Sequence, residues 1–291
     1  MNTLLCLGFG YCAEALARRL GSTGNWHIMG TSRSRAGAEA ITAKGFDGLE
    51  FDGQKISAQL ARGLLQATHI LNSIAPGIDS DRFLTDFGPI LTPPGPLRWC
   101  GYLSTIGVYG DTGGAWVDED APPNPTHERA IRRLGAEQAW LDFGERTGTS
   151  VEVFRIAGIY GPGRNVLEDL KAGTARRIIK PGQVFNRIHA ADIAQCLAAA
   201  MSTGRAGRIY NLTDDEPAPP QDVLLYAANL LGVAPPPPIP FEAAALSPMA
   251  ASFYADNRRV RNDRIKRELA VSLIYPTYRE GLAGLKADTA R

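Results

Sequence analysis

The chain has 291 residues, which at about 150 residues per domain allows two domains or one α/β domain carrying a lobe. Hydrophobic residues make up 44% and charged residues 21%, a globular balance that sets aside fibrous, disordered and membrane-spanning classes. Thirty-one basic against thirty acidic residues leave a net charge of +1 with no long run of either sign, so there is no electrostatic footprint for nucleic acid or an anionic membrane. Cys6, Cys12, Cys100 and Cys196 sit singly, without a C-x-x-C pair, which speaks against a zinc site or a disulfide framework. The start lacks a basic leading segment and runs straight into Gly8-Phe9-Gly10, so it reads as a buried strand of a cytoplasmic protein.

In chain order, Leu4 to Leu7 is a short apolar run bounded by glycine, as in a strand covered on both faces. Ala13, Leu16, Ala17 and Leu20 follow at helical spacing, with Gly21 as the expected C-terminal cap. His27 to Gly30 then completes a β-α-β unit. Further strands are expected at Gly48 to Phe51, His69 to Ile74, Trp99 to Ser104 and Val151 to Ile156, with helical stretches between several of them. A helix is expected from about Asp192, as N-cap, to Met201, followed by a strand from Arg208 to Leu212. Glycine- and proline-rich turns interrupt the second half, and Pro235 to Pro238 stiffens a connection into an extended form. The rhythm predicts an α/β fold with a Rossmann-type doubly wound parallel sheet and a smaller discontinuous C-terminal lobe.

Gly8-Phe9-Gly10-Tyr11-Cys12-Ala13 reads G-x-G-x-x-A between the first strand and the first helix. There the first glycine makes a tight turn, the second lets a pyrophosphate approach the backbone, and Ala13 allows close helix–strand packing. The helix N-terminus supplies free N–H groups to the phosphates, with Phe9 and Tyr11 lining the turn. An NAD site usually places an acid about twenty residues on, whereas an NADP site needs a cation for the 2′-phosphate. The second strand here runs into Gly30-Thr31-Ser32-Arg33-Ser34-Arg35 without an acid, so Arg33, helped by the Ser32 hydroxyl, is the expected phosphate ligand. NADP(H) is therefore expected over NAD(H). Ser73, in the fourth strand segment, is counted with the cofactor set, and so is Asp52, either as an adenine contact or as a turn cap.

Leu103-Ser104-Thr105-Ile106-Gly107-Val108-Tyr109-Gly110-Asp111, Arg155-Ile156-Ala157-Gly158-Ile159-Tyr160-Gly161-Pro162-Gly163 and Arg187-Ile188-His189-Ala190-Ala191-Asp192-Ile193 form three ordered motifs. With them the chain resembles the extended short-chain dehydrogenase/reductases, the branch of the epimerases and dehydratases, and its glycine spacing resembles the atypical members. The resemblance implies a nicotinamide-dependent activity in which a serine or threonine holds the reacting oxygen. It places that role on Thr105, with Ser104 beside it; a strand-end hydroxyl bonded to backbone is the structural alternative. It also implies a tyrosine and a lysine four residues apart on a helix. Along Pro125 to Glu137 those positions fall on Arg129 and Arg133, so the usual proton-transfer pair is missing. Ile131, Leu134, Gln138 and Leu141 share one stripe of that helix.

A guanidinium stays protonated up to a pKa above about 12, so neither arginine can donate a proton near neutrality. Three readings remain open. The arginines are solvent-facing charges paired with Glu128 or Glu137, or they bind an anionic substrate group or the cofactor phosphates, or another acid serves, with Tyr109 and His127 as the candidates by motif position. By resemblance, Asn165 and Arg187 are expected to contact substrate, with neutralisation of Asp192 or Asp169 as the alternative for Arg187. His189 reads as a structural histidine, Asn211 as a bridge between lobes, and Phe253 to Val260 as lobe surface.

The expectation is an NADP(H)-binding atypical reductase or epimerase acting on a small hydroxylated or sugar-like substrate, nucleotide sugars included. The alternative from another class is a catalytically silent NADP(H)-binding sensor, and a scaffold without cofactor is a third. Residues 1–156 and 188–212 are expected to form the NAD(P)-binding domain, and 157–187 with 213–291 the substrate lobe. A homodimer is expected from resemblance alone, and neither nucleic acid nor membrane is an expected partner.

Overall fold

The computed structural model describes residues 1–77, 82–91 and 95–289. In chain order the elements run β1 (Asn2–Leu7), α1 (Tyr11–Gly21), β2 (Trp26–Ser32), α2 (Arg35–Thr42), β3 (Asp47–Glu50), α3 (Ala58–Gln66), β4 (His69–Asn72), α4 (Arg82–Phe87), β5 (Trp99–Thr105), β6 (Trp116–Val117), α5 (Glu128–Thr147) and β7 (Ser150–Ile156). The second half continues with β8 (Gly158–Tyr160), α6 (Val166–Lys171), β9 (Arg177–Ile179), β10 (Arg187–His189), α7 (Ala190–Thr203), β11 (Arg208–Leu212), α8 (Pro220–Leu231), β12 (Pro238–Pro240), α9 (Pro248–Ala255), β13 (Arg259–Val260), α10 (Asp263–Glu268) and α11 (Tyr278–Thr289). Among the described residues no helix is long and apolar enough to cross a membrane.

A parallel seven-stranded sheet in the order β11-β7-β5-β4-β1-β2-β3 forms the centre of the α/β fold. The register pairs Asn2 with Trp26, Leu4 with His69, and His69 with Trp99. Leu4 to Leu7 are fully buried, as a strand covered on both faces requires. The strand order reverses beside β1, the topological switch point at which open α/β sheets bind ligands.

The chain divides into two compact units. The first comprises Met1–Thr105, Glu128–Arg155 and Ile193–Tyr210, and its core joins Leu5, Met29, Ile70 and Tyr102 to Trp140 and Phe143 of α5. The second comprises Ile106–His127, Ile156–Asp192 and Asn211–Arg291, with a core built on Tyr160, Leu167, Ala227, Tyr278 and Leu282.

Several local expectations are corrected. Gly21 is the last residue of α1 and Ser22 its C-cap; the left-handed conformation falls on Gly24 at φ 71°. Helix α5 starts at Glu128 rather than Pro125, because the Thr126 hydroxyl is drawn to Asp256 Oδ1 at 2.8 Å within the second unit. Its buried face carries Ala136, Glu137, Trp140 and Phe143, whereas Ile131 is 53% exposed and Gln138 is exposed, so the stripe read from the sequence is not the packing face. Helix α7 begins at Ala190, and His189 Nδ1 accepts from the Ala191 N–H. Asp192 is therefore not the N-cap; its buried carboxylate accepts from the Ile274 and Tyr275 N–H groups at 2.6 and 3.1 Å. Phe253 to Val260 is not simply surface: Tyr254, Asp256 and Val260 are buried, and Arg258 ties Asp256 to the Ile106 carbonyl. The four cysteines are buried and none is disulfide-bonded.

Candidate functional site

The turn after β1 is shaped by backbone geometry that only glycine tolerates well. Gly8 has φ +80°, and a Cβ there would stand 2.9 Å from Ser73 Oγ. The Thr31 hydroxyl accepts from the Gly8 N–H at 2.7 Å, and the Thr31 carbonyl accepts from the Phe9 N–H at 2.8 Å. Ser73 donates to the Gly8 carbonyl at 2.6 Å, so its side chain is a strut of the turn. Phe9 folds back over Gly30, where a Cβ would lie 2.2 Å from its ring, and packs against Phe46 at 5.4 Å. Gly10, exposed at the N-cap of α1, has nothing within 4 Å of where its Cβ would be. The start of α1, with Tyr11 half-buried, is thus open beside its N–H groups and has no side-chain cap. This cradle fits a pyrophosphate.

At the end of β2, Ser34 caps α2 through the Gly37 N–H, and Gly37 packs so closely over Ser32 that a Cβ would meet Ser32 Oγ. Arg35 pairs with Glu39 one turn on at 3.0 Å. Arg33 is exposed and makes no ion pair among the described residues, which leaves its fork available to a phosphate. The Asp52 carboxylate accepts from the Gln54 and Lys55 N–H groups at 2.8 and 3.2 Å, and these bonds hold its carboxyl below the usual range. Of the two roles considered for Asp52, turn capping is the one seen.

Thr105 is half-buried at the end of β5. The preceding Ser104 is turned away from solvent and donates to Glu137 Oε1 at 2.5 Å. Glu137 receives Arg155 as well, with Nη2 at 2.8 Å from Oε2. Arg129 is exposed on α5, while Arg133 is half-buried and donates from Nη1 to the Leu103 carbonyl at 2.7 Å and to the Tyr102 hydroxyl at 3.3 Å. Glu137, Arg155 and Thr31 were not singled out as site residues, although Arg155 opens the second family motif and Glu137 lies one turn after Arg133.

The remaining sequence-predicted residues lie in the second unit. Tyr109 is 2% exposed and its hydroxyl donates to Asn211 Oδ1 at 2.8 Å. Asn211 also donates from its N–H to Glu119 at 2.9 Å and from Nδ2 to the Arg261 carbonyl at 3.2 Å. His127 Nε2 stands 3.8 Å from Asp256 Oδ1. Asn165 caps α6, accepting from the Leu167 and Glu168 N–H groups and donating to the Gly161 carbonyl, so both ends of its amide are engaged. Arg187 donates to the Phe185 and Ala218 carbonyls at 2.9 and 3.1 Å. Its nearby charge is Asp214, whose carboxyl burial pushes well above the usual range while Arg187 draws it back, so Asp214 stands where Asp192 or Asp169 was expected. His189 is buried against Tyr160 and Tyr275, and burial lowers its pKa to about 4.

A seven-stranded parallel sheet with an open glycine turn at the switch point is the arrangement in which α/β proteins of this class hold dinucleotides. Residues 100–213 match the model of the NAD dependent epimerase/dehydratase family. The chain is similar to a functionally unknown conserved protein from Silicibacter pomeroyi, with 49% identity, full coverage of both chains and a TM-score of 0.89. It is 28% identical over 251 residues to Protein YeeZ of Escherichia coli K12, covering 81% of this chain and 86% of that one. The dTDP-glucose 4,6-dehydratase of Bacillus anthracis, solved in complex with NAD, shares the fold at 17% identity and a TM-score of 0.78, covering 98% and 95% of the two chains.

Proposed function

We propose that this chain is an NADP(H)-dependent atypical reductase or epimerase acting on a small hydroxylated or sugar-like substrate, nucleotide sugars included. The observation that carries the reading is the open Gly10 at the start of α1, beside a Gly8 turn that Thr31 and Ser73 hold in place. A nicotinamide dinucleotide bound there supplies or accepts a hydride. The chain's own residues do the rest: α1 turns its N-terminal end to the pyrophosphate, Arg33 takes the 2′-phosphate, and the Thr105 hydroxyl holds the reacting oxygen. Tyr109 falls outside this set because its hydroxyl is committed to Asn211. Asn165 and Arg187, expected by resemblance to contact substrate, have their side chains used for backbone contacts. A cytoplasmic homodimer completes the reading.

The test is NADPH oxidation followed by absorbance, with a panel of aldehydes, ketones and nucleotide sugars. Substrate-dependent oxidation that disappears in Thr105→Val supports the enzyme. A second reading, a cofactor-binding sensor without turnover, is favoured by Arg129 and Arg133 on α5, at the positions where the resemblance expects a tyrosine and a lysine to move the proton. Tight NADPH binding with no oxidation across the panel supports the sensor.

A further inference from the structure

Arg133 is held firmly and left uncompensated. Its Nη1 is anchored to the Leu103 carbonyl at 2.7 Å and its guanidinium carbon lies 5.8 Å from the centre of the Tyr102 ring, which fixes the plane of the group at the end of the strand that carries Thr105. Both anchors are neutral. The carboxylate best placed to neutralise Arg133, Glu137 one turn along α5, is already filled: Arg155 Nε lies 3.2 Å from each oxygen, Arg155 Nη2 2.8 Å from Oε2, and Ser104 2.5 Å from Oε1. Arg132, the neighbouring cation, pairs with Glu128. Among the described residues Arg133 therefore has no carboxylate partner, and its Nε and Nη2 have no hydrogen-bond acceptor.

An anchor for a backbone carbonyl needs a single N–H, which lysine also supplies. Arginine adds a planar fork, and the fork left over here, Nε with Nη2, matches the two oxygens of a carboxylate. Resting on the proposed reaction at Thr105, we propose that this edge of Arg133 binds a carboxylate of the substrate, which makes the substrate an acid within the hydroxylated or sugar-like class. The guanidinium moves no proton in this role. It orients the acid group so that the oxygen to be reduced or oxidised lies at the Thr105 hydroxyl.

The experiment is a calorimetric titration of the full chain, with and without saturating NADPH, using formate, acetate, oxalate and benzoate as probes and benzamide as the neutral match to benzoate. At least one carboxylate should bind, and benzoate should bind about tenfold or more tightly than benzamide if it is among them. Arg133→Gln should weaken the carboxylates about tenfold while changing the NADPH dissociation constant less than about threefold, and Arg133→Lys, with charge but no fork, should fall between. Arg133→Lys also carries the test if the glutamine variant does not fold. Carboxylate binding absent below about 50 mM, or unchanged in either variant, overturns the proposal. So does an Arg133→Gln variant that loses NADPH instead, since Arg133 would then serve the cofactor. Failure of the cofactor reading shows separately, as a flat NADPH titration of the unsubstituted chain, while the cofactor-free arm still reads the carboxylates.

Discussion

Arg155 grips Glu137 through two nitrogens inside the first unit, and both side chains are 3% exposed. The pair joins β7 to the helix that carries Arg133, and through Ser104 it reaches the end of β5. Removing one member leaves the other buried and uncompensated. Glu137→Ala is expected to lower unfolding free energy by about 3–5 kcal/mol, and Arg155→Met by a similar amount, as read by urea denaturation. Because the two share one interaction, the double variant should lose clearly less than the sum of the singles.

The two glycines of the turn should separate stability from binding. Gly8→Ala forces a side chain into φ +80° and against Ser73, and is expected to destabilise by about 1–2 kcal/mol. Gly10→Ala meets nothing within 4 Å, so its denaturation midpoint should hardly move while NADPH affinity falls. Equal loss of stability in both variants would contradict the open cradle.

The rhythm from β1 through α1 to β2 was legible because buried parallel strands and amphipathic helices write themselves as apolar runs and 3.6-residue periods. The Gly8 turn was legible for the same local reason. Ser73 and Asp52 were not, since a serine or aspartate at a strand end looks alike whether it holds a ligand or its own backbone, as Ser73 holds Gly8 and Asp52 holds Gln54. The link of Glu137 to Arg155 spans 18 residues and two elements, and no periodicity records which buried charges meet. The packing face of α5 was misread because Glu137, polar by composition, is inside and Ile131 is outside.

Glu152 gives a pH dependence. It is fully buried on β7, accepting from the Trp99 indole and the Arg205 N–H, and burial raises its pKa to about 7. Between an unfolded value near 4.3 and the folded value, the folded chain holds a proton that the unfolded chain has released, so this group lowers stability as pH rises through that window. His69, lowered from about 6.5 to about 4 by burial, works in the opposite direction over nearly the same window, so the informative quantity is a difference between variants. Glu152→Gln should be more stable relative to the parent at pH 8 than at pH 5, by about 2–3 kcal/mol. A pH-independent difference in urea denaturation would contradict this account.

Ala270 adopts φ +52°, and it is exposed just after α10. Ala270→Gly relieves that strain at some cost in chain entropy, and a net gain of about 0.5–1 kcal/mol is expected in thermal or chemical denaturation.

The central claim is that the turn binds a dinucleotide and Arg33 selects its 2′-phosphate, and calorimetric titration with NADPH and NADH in parallel tests it most directly. NADPH should bind clearly more tightly than NADH, and Arg33→Ala should weaken NADPH about tenfold or more while leaving NADH nearly unchanged. Equal losses for both cofactors in Arg33→Ala, or no binding of either by the unsubstituted chain, would contradict it.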